Sequence, residues 1–486
     1  MSSLFFSLSI AGQSLLTYKR AMDNVNKNMT NVYSEGYSRR VNHFADLPAS
    51  SVYLKKIERV FDNSLFNRYI TTNNQKTGYE NYQDILQQIE DIYNDIQGSG
   101  FASELTDFFN SFNDVAVNPD DLAARYEVMS KAQALIGRIR NSYDTLINIK
   151  EKTSLSIKDS IGQLNDLLNQ LAYVNKNIKF YSYDEVRLNE FLDERDRLVK
   201  EISSLIDVKV RINEDNTVDL FTAKGFDLLV FDQAAPITYD IDENNNPVVR
   251  VRGNDISSIL ENGKIGGYIK GIEKVNEAIN QLNDFTTIFA LTVNKQHRQG
   301  YDLNGNTDID FFGIDPESSE TTINAGNIVL NITDPKQIAA ASDPAYTNSD
   351  NTNIKEIIDL QNDISGVLSS SEETDLLSDA SITLGSITYT LNNVENYNLI
   401  KERSFHEFYS SEIVTPVSTE LSHVKNLTED SNFILDAIDQ KIKEYSGVNI
   451  DEELINLTKL QRAYEASARI ITVTDELLQT VLNLVK

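Results

Sequence analysis

The chain has 486 residues, 40% of them hydrophobic, and a net charge of −29, which gives room for roughly three domains of about 100–200 residues each. So large a negative charge argues against nucleic acid and anionic membrane as partners, since both need a positive face, and the apolar share excludes wholesale disorder. Without cysteine there is no disulfide, no cysteine-held zinc and no thiol nucleophile, and no apolar run reaches the roughly 18 residues that a membrane span needs.

The charge is uneven along the chain. Residues 1–40 carry five basic and two acidic side chains, and residues 449–486 four basic and six acidic. Two nearly neutral ends therefore flank a strongly acidic body, which suits a subunit that joins others through its ends. The stretch from Met1 to Tyr18 lacks any Lys or Arg, so it has no positive n-region and does not read as a cleaved secretory signal.

In chain order, the first element is a long helix. Leu4, Leu8, Ala11, Leu15, Tyr18, Met22, Val25, Met29 and Val32 recur at alternating spacings of four and three, a narrow stripe of coiled-coil period. It stops at Ser34-Glu35-Gly36. A second stripe, Tyr82, Ile85, Ile89, Ile92 and Ile96, ends at Gly98-Ser99-Gly100. After Pro119 no proline occurs until Pro236, and Ile157, Ile161, Leu164, Leu168, Leu171 and Ile178 keep the helical spacing, which predicts a long bundle helix.

Between about 205 and 260 the period falls to two. Val208, Val210 and Ile212 alternate with Lys209 and Arg211, and Val218, Leu220, Leu228, Val230, Val249 and Val251 follow across turn-forming segments, predicting strands joined by tight turns. Helical spacing returns at Tyr268, Ile272, Val275, Ile279, Leu282, Phe289 and Val293. Residues 321–334 and 381–391 read as small strand pairs, with Ser369–Glu373 as an exposed loop between them. A further stripe holds Val417, Leu421, Val424, Leu435, Ile438, Ile442 and Tyr445. The last helix carries Ile450, Leu457, Tyr464, Ile471, Leu478 and Val485 every seven residues, with Leu454, Gln461, Ala468, Asp475 and Leu482 in the second position of the stripe. Polar Gln461 and Asp475 there would weaken a seam but fix its register. Neither end helix can bury its stripe alone, so each needs the other or a neighbouring subunit, and the spacing predicts that both order only on assembly.

Chemistry is hard to place on this pattern. His43, His297, His406 and His423 form no metal spacing, and no phosphate-binding loop or nucleophile elbow occurs. The segment Asp302–Asp310 puts oxygen side chains at every second position, as calcium loops do, but its glycine is at the fourth position and no Glu closes it, so a turn built on Asn and Asp is favoured over a calcium site. No catalytic, cofactor-binding or metal site is assigned.

Two pairs of motifs point elsewhere. Asn28-Met29-Thr30-Asn31 with Gly36, Tyr37 and Arg39 resembles the helix end and following turn of bacterial flagellar rod and hook axial proteins. Ser446-Gly447-Val448-Asn449-Ile450-Asp451-Glu452-Glu453 followed by Gln461-Arg462-Ala463-Tyr464-Glu465-Ala466 resembles their carboxy-terminal signature. Within that group, three inner motifs are similar to the hook-associated protein 1 family: Leu192-Asp193-Glu194-Arg195-Asp196-Arg197-Leu198-Val199; Gln296-His297-x-x-Gly300 with Asp302, Gly305, Phe311 and Phe312; and Asp107-Phe108-Phe109 with Ala123-Ala124-Arg125. Lys27 and Glu35 depart from the usual pattern, and residues from about 370 to 400 fall outside the resemblance.

The resemblance implies a non-enzymatic subunit at the junction of flagellar hook and filament, located outside the cell and exported through the flagellar channel without a cleaved signal. Its partners would be copies of itself, the hook protein, a second junction protein and an export chaperone. The assembly interface would be Leu4, Leu8, Leu15, Met22, Val25 and Met29 with Leu454, Leu457, Tyr464, Ile471, Leu478 and Leu482. Asn28, Asn31, Gly36, Tyr37 and Arg39 would form the motif turn. Hook protein, another axial subunit, or a secreted helical-stalk adhesin are the other readings.

The expected fold is α+β: a mostly helical coiled-coil or bundle with paired terminal helices and a β-rich inserted outer domain. Three parts are expected. Residues 1–60 with 446–486 form the terminal region. Residues 61–204 with 335–445 form a helical bundle with a small β excursion near 370–400. Residues 205–334 form the outer domain, with a long helix over about 264–297.

Overall fold

The computed structural model describes residues 2–34, 36–47, 51–93 and 100–484. Glu35, Ile96, Gly98, Ser99 and Val485 of the patterns above lie outside them. The fold is α+β and mostly helical, as expected. Helix α1 (Ser2–Thr30) leads into a hairpin of β1 (Arg40–Leu47) and β2 (Ser51–Arg59), to which the sequence patterns assign no strands. Four helices follow: α2 (Asn63–Tyr93), α3 (Phe101–Val117), α4 (Leu122–Phe180) and α5 (Glu185–Leu205). Side chains set the starts of α2, α4 and α5. Asp62 Oδ1 accepts from Ser64 N and Leu65 N before α2, Asp121 Oδ1 from Ala123 N before α4, and the Asp184 side chain caps α5; each satisfies a backbone donor that a helix leaves unpaired.

Two small sheets come next. One orders β3 (Val208–Ile212), β4 (Val218–Thr222), β5 (Asp227–Val230) and β6 (Gln233–Ala234); the other orders β7 (Ile237–Ile241), β8 (Pro247–Val251) and β9 (Asn254–Asp255). All pairings are antiparallel. Then come α6 (Gly263–Gln299), the strand pair β10 (Phe312–Ile314) and β11 (Ile328–Leu330), α7 (Thr352–Asp359), α8 (Ser370–Asp379), the hairpin β12 (Ser381–Leu384) and β13 (Ile387–Thr390), α9 (Glu395–Arg403), α10 (Phe405–Phe408), α11 (Thr415–Ser446) and α12 (Ile450–Leu484).

Two local expectations are corrected. Ser369–Glu373 is the start of α8, not an exposed loop: Ser369 and Glu372 form a capping box, the arrangement in which each side chain takes the other's backbone N–H. Residues 321–334 are not a strand pair. Asn324 Oδ1 accepts from Gly326 N and Asn327 N, and Asn327 Oδ1 accepts from Asn324 N. These side-chain turns compete with extended backbone, so only β11 forms and it pairs with β10.

The chain gathers into two compact units. The first holds Met1–Tyr79, Ile157–Gly267 and Leu427–Lys486; the second holds Glu80–Ser156 and Tyr268–Asn426. Every boundary falls inside a helix, since α2, α4, α6 and α11 each supply both units. Asn165 of α4 bonds Ile237 N and O, and Asn175 of α4 bonds Val218 N and O, so both sheets are fastened to one helix of the first unit.

In that unit α1 and α12 pair along their lengths, and α1 also packs on the β1–β2 hairpin. The end helices thus pair with each other within one chain. The second unit is built around aromatic rings. Phe101, Phe108, Phe109 and Phe112 of α3, Phe285 and Phe289 of α6, Phe311, Phe312, Phe405 and Phe408 are all buried in one cluster, with Phe108 in ring contact with Phe109, Phe112, Phe289, Phe311 and Phe312. Residues 370–400 feed this core through Leu376, Ile382, Ile387, Tyr389, Leu391, Tyr397 and Ile400.

Candidate assembly site

Three of the motifs, far apart in sequence, meet in the first unit. At the end of α1, Asn28 is fully buried. Its Oδ1 accepts from Tyr37 Oη at 2.8 Å and Arg40 N at 3.1 Å, and its Nδ2 donates to Arg40 O at 2.9 Å and Glu453 Oε2 at 3.2 Å. One side chain therefore ties the helix end, the turn after it and the first turn of α12. Gly36 takes a φ of +78°, a left-handed conformation that residues with a Cβ rarely adopt, and this reverses the chain into β1. Asn31 Nδ2 bonds Lys27 O and closes the helix.

Around Asn28 sits a cluster of ion pairs. Arg39 Nε reaches Glu453 Oε1 at 2.9 Å, and its Nη1 reaches Glu452 Oε2 at 2.9 Å. Arg40 Nη2 lies 3.1 Å from Asp193 Oδ2, Arg59 Nη2 lies 2.6 Å from Asp196 Oδ2, and Arg195 Nη2 lies 2.6 Å from Asp196 Oδ1. Four guanidiniums thus face four carboxylates, and the cluster is neutral. Burial pushes the Asp193 carboxyl up, against the pull of Arg59 and Arg40, and raises Tyr37 to about 12. A buried pair of this kind adds little net stability, but removing one partner strands a charge. Its chemical role here is to fix one geometry.

The inner motif 192–199 divides by face. Asp193 and Asp196 turn into the cluster, Leu198 and Val199 are fully buried, and Glu194 pairs outward with Arg197, whose hydrogen bond holds the Glu194 carboxyl below its usual range. The other two inner motifs meet in the second unit. Arg125, fully buried, donates to Pro119 O at 2.7 Å and Ile338 O at 2.6 Å. His297, also fully buried, uses Nδ1 on Ile309 O at 2.7 Å and accepts from Ala339 N on Nε2 at 2.9 Å. Gly300 is required because a Cβ there would strike Asn353. These motif residues are joints between segments. Asp302 accepts from Asn304 N and Asn306 N, the turn that the sequence favoured over a calcium loop. Among the described residues no group of three His, Asp or Glu side chains is placed to hold a metal ion, and no helix is long and apolar enough to cross a membrane.

The seam between α1 and α12 differs from the expected stripe by one residue in every second position. On α1 the buried ladder runs through Ala11, Ser14, Ala21, Val25 and Asn28. Of the expected residues Val25 is buried, while Leu4, Leu8, Leu15, Met22 and Met29 are half-buried at its edge. On α12 Leu457, Ile471 and Leu478 keep their places, half-buried or buried, but the alternate positions are Glu453, Leu460, Ser467, Thr474 and Val481. Leu454, Tyr464 and Leu482 are exposed, as are Gln461 and Asp475, so the latter two do not fix the seam's register. The physical reason is size. Alanine and serine let two helices approach closely, so the larger side chains next to them are pushed to the flanks. Tyr445 of α11 is likewise exposed. The sequence reading missed Ser14, Ser467 and Thr474 because they are polar; their signal was a ladder of small residues beside the apolar one.

Both helices keep apolar side chains in solvent. Phe5, Phe6 and Leu16 of α1 are exposed, Leu16 by 66%; on α12 so are Ile455, Ile470, Val473 and Leu477, besides Leu454 and Leu482. The chain therefore presents further apolar faces after its end helices have paired.

Residues 86–312 match the model of the flagellar hook-associated protein FlgK helical domain, and residues 440–484 that of the flagellar basal body rod FlgEFG protein C-terminal region. The flagellar hook-associated protein 1 of Bacillus subtilis is 25% identical over 99% of this chain and 99% of its own length. That of Salmonella typhimurium is 23% identical over the whole of both. A solved structure titled as the flagellar hook junction protein FlgK from Burkholderia pseudomallei aligns with 51% of this chain and 46% of its own, at 23% identity and a TM-score of 0.48. From end to end, then, the chain is similar to the hook-associated protein 1 sequences of bacterial flagella, and within it residues 86–312 carry the helical domain of that family.

Proposed function

We propose that this chain is the subunit that joins flagellar hook to filament, and that it enters the assembly through α1 and α12. What carries the reading is the terminal pair itself: two helices zipped together on small residues, pinned at Asn28 and Glu453, with large apolar side chains such as Phe5, Leu16, Leu454, Ile470 and Leu482 still exposed. Exposed apolar patches of this kind mark association surfaces. The partners are copies of the chain and neighbouring axial proteins, and an export chaperone covers the same faces before assembly. The chain leaves the cell through the flagellar channel.

Deletion of the gene followed by electron microscopy tests the reading. Hooks that lack filaments are expected; normal filaments would overturn it. Immunolabel along the whole hook, instead of at its distal boundary, would favour hook protein.

A further inference from the structure

The first unit carries an aromatic cleft that neither the terminal pair nor the ion cluster uses. It lies at the end of α4, has a volume of about 770 Å³, and is walled by Tyr173, Phe180 and Phe231, with Lys176, Lys179 and one carboxylate, Asp232, in its lining. All three rings are more than half exposed. Phe231 has a φ of +54°, a left-handed backbone that is uncommon for a bulky residue and costs about 1–3 kcal/mol unless its surroundings enforce it. Here two buried side chains enforce it: Asp219 Oδ1 accepts from Phe231 N at 2.9 Å, and Asn175 Nδ2 donates to Phe231 O at 2.6 Å. The fold thus spends buried polar groups on holding an aromatic ring out in water. Two lysines beside such rings are also notable on a chain of net charge −29.

The same unit offers a shape of the opposite character. At the tip of the β7–β8 hairpin Ile241 is 57% exposed and flanked by Asp240, which pairs with Arg250 at 3.4 Å, by Asp242, which accepts from Asn244 N and Asn246 N of its own turn, and by Glu243. The hairpin is held to α4 at Asn165 and the cleft at Asn175, ten residues apart, or about 15 Å along the helix. Knob and cleft are therefore different patches of one surface, and such patches join copies head to tail into a ring or helix.

We propose that the cleft receives the Asp240–Glu243 tip of a second copy, with Ile241 against the rings and the carboxylates against Lys176 and Lys179. This lateral contact rests on the junction reading above and adds a copy-to-copy surface away from the end helices.

The absence of cysteine makes introduced thiols unambiguous. Phe180→Cys and Ile241→Cys are made in separate full-length chains, the two are co-expressed, and sheared flagella are oxidised. A disulfide-linked dimer is expected from the mixture, and none from either variant alone or from Tyr126→Cys with Ile241→Cys. Independently, Lys176→Glu with Lys179→Glu should lower the number of filament-bearing cells about tenfold or more by setting like charges together, without changing the melting of the free protein, and Asp240→Lys with Glu243→Lys should restore it. Assemblies that contain the chain at the junction yet give no dimer and ignore the charge changes overturn the contact, as does a disulfide to a different protein. Absence of the chain from every hook–filament boundary sinks the junction reading, and this contact falls with it.

Discussion

The aromatic core of the second unit and the terminal pair of the first use apolar residues in opposite ways. Around Phe108 the rings are fully buried and touch one another, so the hydrophobic gain is realised inside one chain. On α1 and α12 the buried positions include the small residues Ala11, Ser14, Ala21, Ser467 and Thr474, while Leu16, Ile470 and Leu477 stay in water. The first region is finished as a monomer. The second holds its largest side chains in reserve, and this separation of stability from association lets a subunit fold before it assembles.

The contrast is sharpest where a truncation should act on one region and not the other. Phe108→Ala should lower the unfolding free energy by about 3–5 kcal/mol, the usual loss for a fully buried ring, as a drop in urea midpoint. His297 should show the next largest effect, through pH. Burial lowers its pKa from 6.5 to about 4, with Arg125 nearby pushing the same way and Asp302 opposing. Unfolded histidine takes a proton below about 6.5, while the folded chain refuses it until about 4. Between those values the unfolded state binds more protons, so stability falls as pH drops, by about 3 kcal/mol across the window; above 6.5 this group adds no slope. His297→Gln should flatten that limb in paired urea titrations.

Asn28→Ala should cost about 2 kcal/mol, since it leaves the buried Arg40 N–H and a Glu453 carboxylate oxygen without their partner. It should also loosen α12, seen as faster hydrogen exchange around Glu453. The smallest effect on stability is expected for Leu482→Ser on the exposed flank, within about 0.5 kcal/mol, yet filament attachment should suffer. Equal losses of monomer stability in Phe108→Ala and Leu482→Ser would erase the contrast.

Much of this was legible in the sequence. The 3.5-residue repeat located both end helices, because large apolar residues flank the seam at the same period as the small ones within it. Ile157 to Ile178 marked the buried face of α4 without error, because that helix packs large residues against strands. The motif at 192–199 flagged a special site, although its acidic and basic side chains looked like a solvated face until Arg40 and Arg59, more than 130 residues away, were brought beside it. Ser14, Ser467 and Thr474 could not be found by a search for apolar residues. The β1–β2 hairpin was hidden because its strands mix charged and apolar residues, and α1 covers only one face. The division into units was invisible because it falls inside continuous helices, where composition does not change.

The hydrogen bond from Asn28 to Glu453 spans 425 positions of sequence, and this has a consequence in time. If the chain is delivered amino end first, α1 arrives long before its partner. Loop closure over such a length is slow relative to local folding, so α1 must wait with one face bare while the aromatic unit, whose two segments both precede α12, can close. The last few dozen residues then act as a latch: until α12 emerges, the terminal pair and the bond from Asn28 to Glu453 that pins it cannot form.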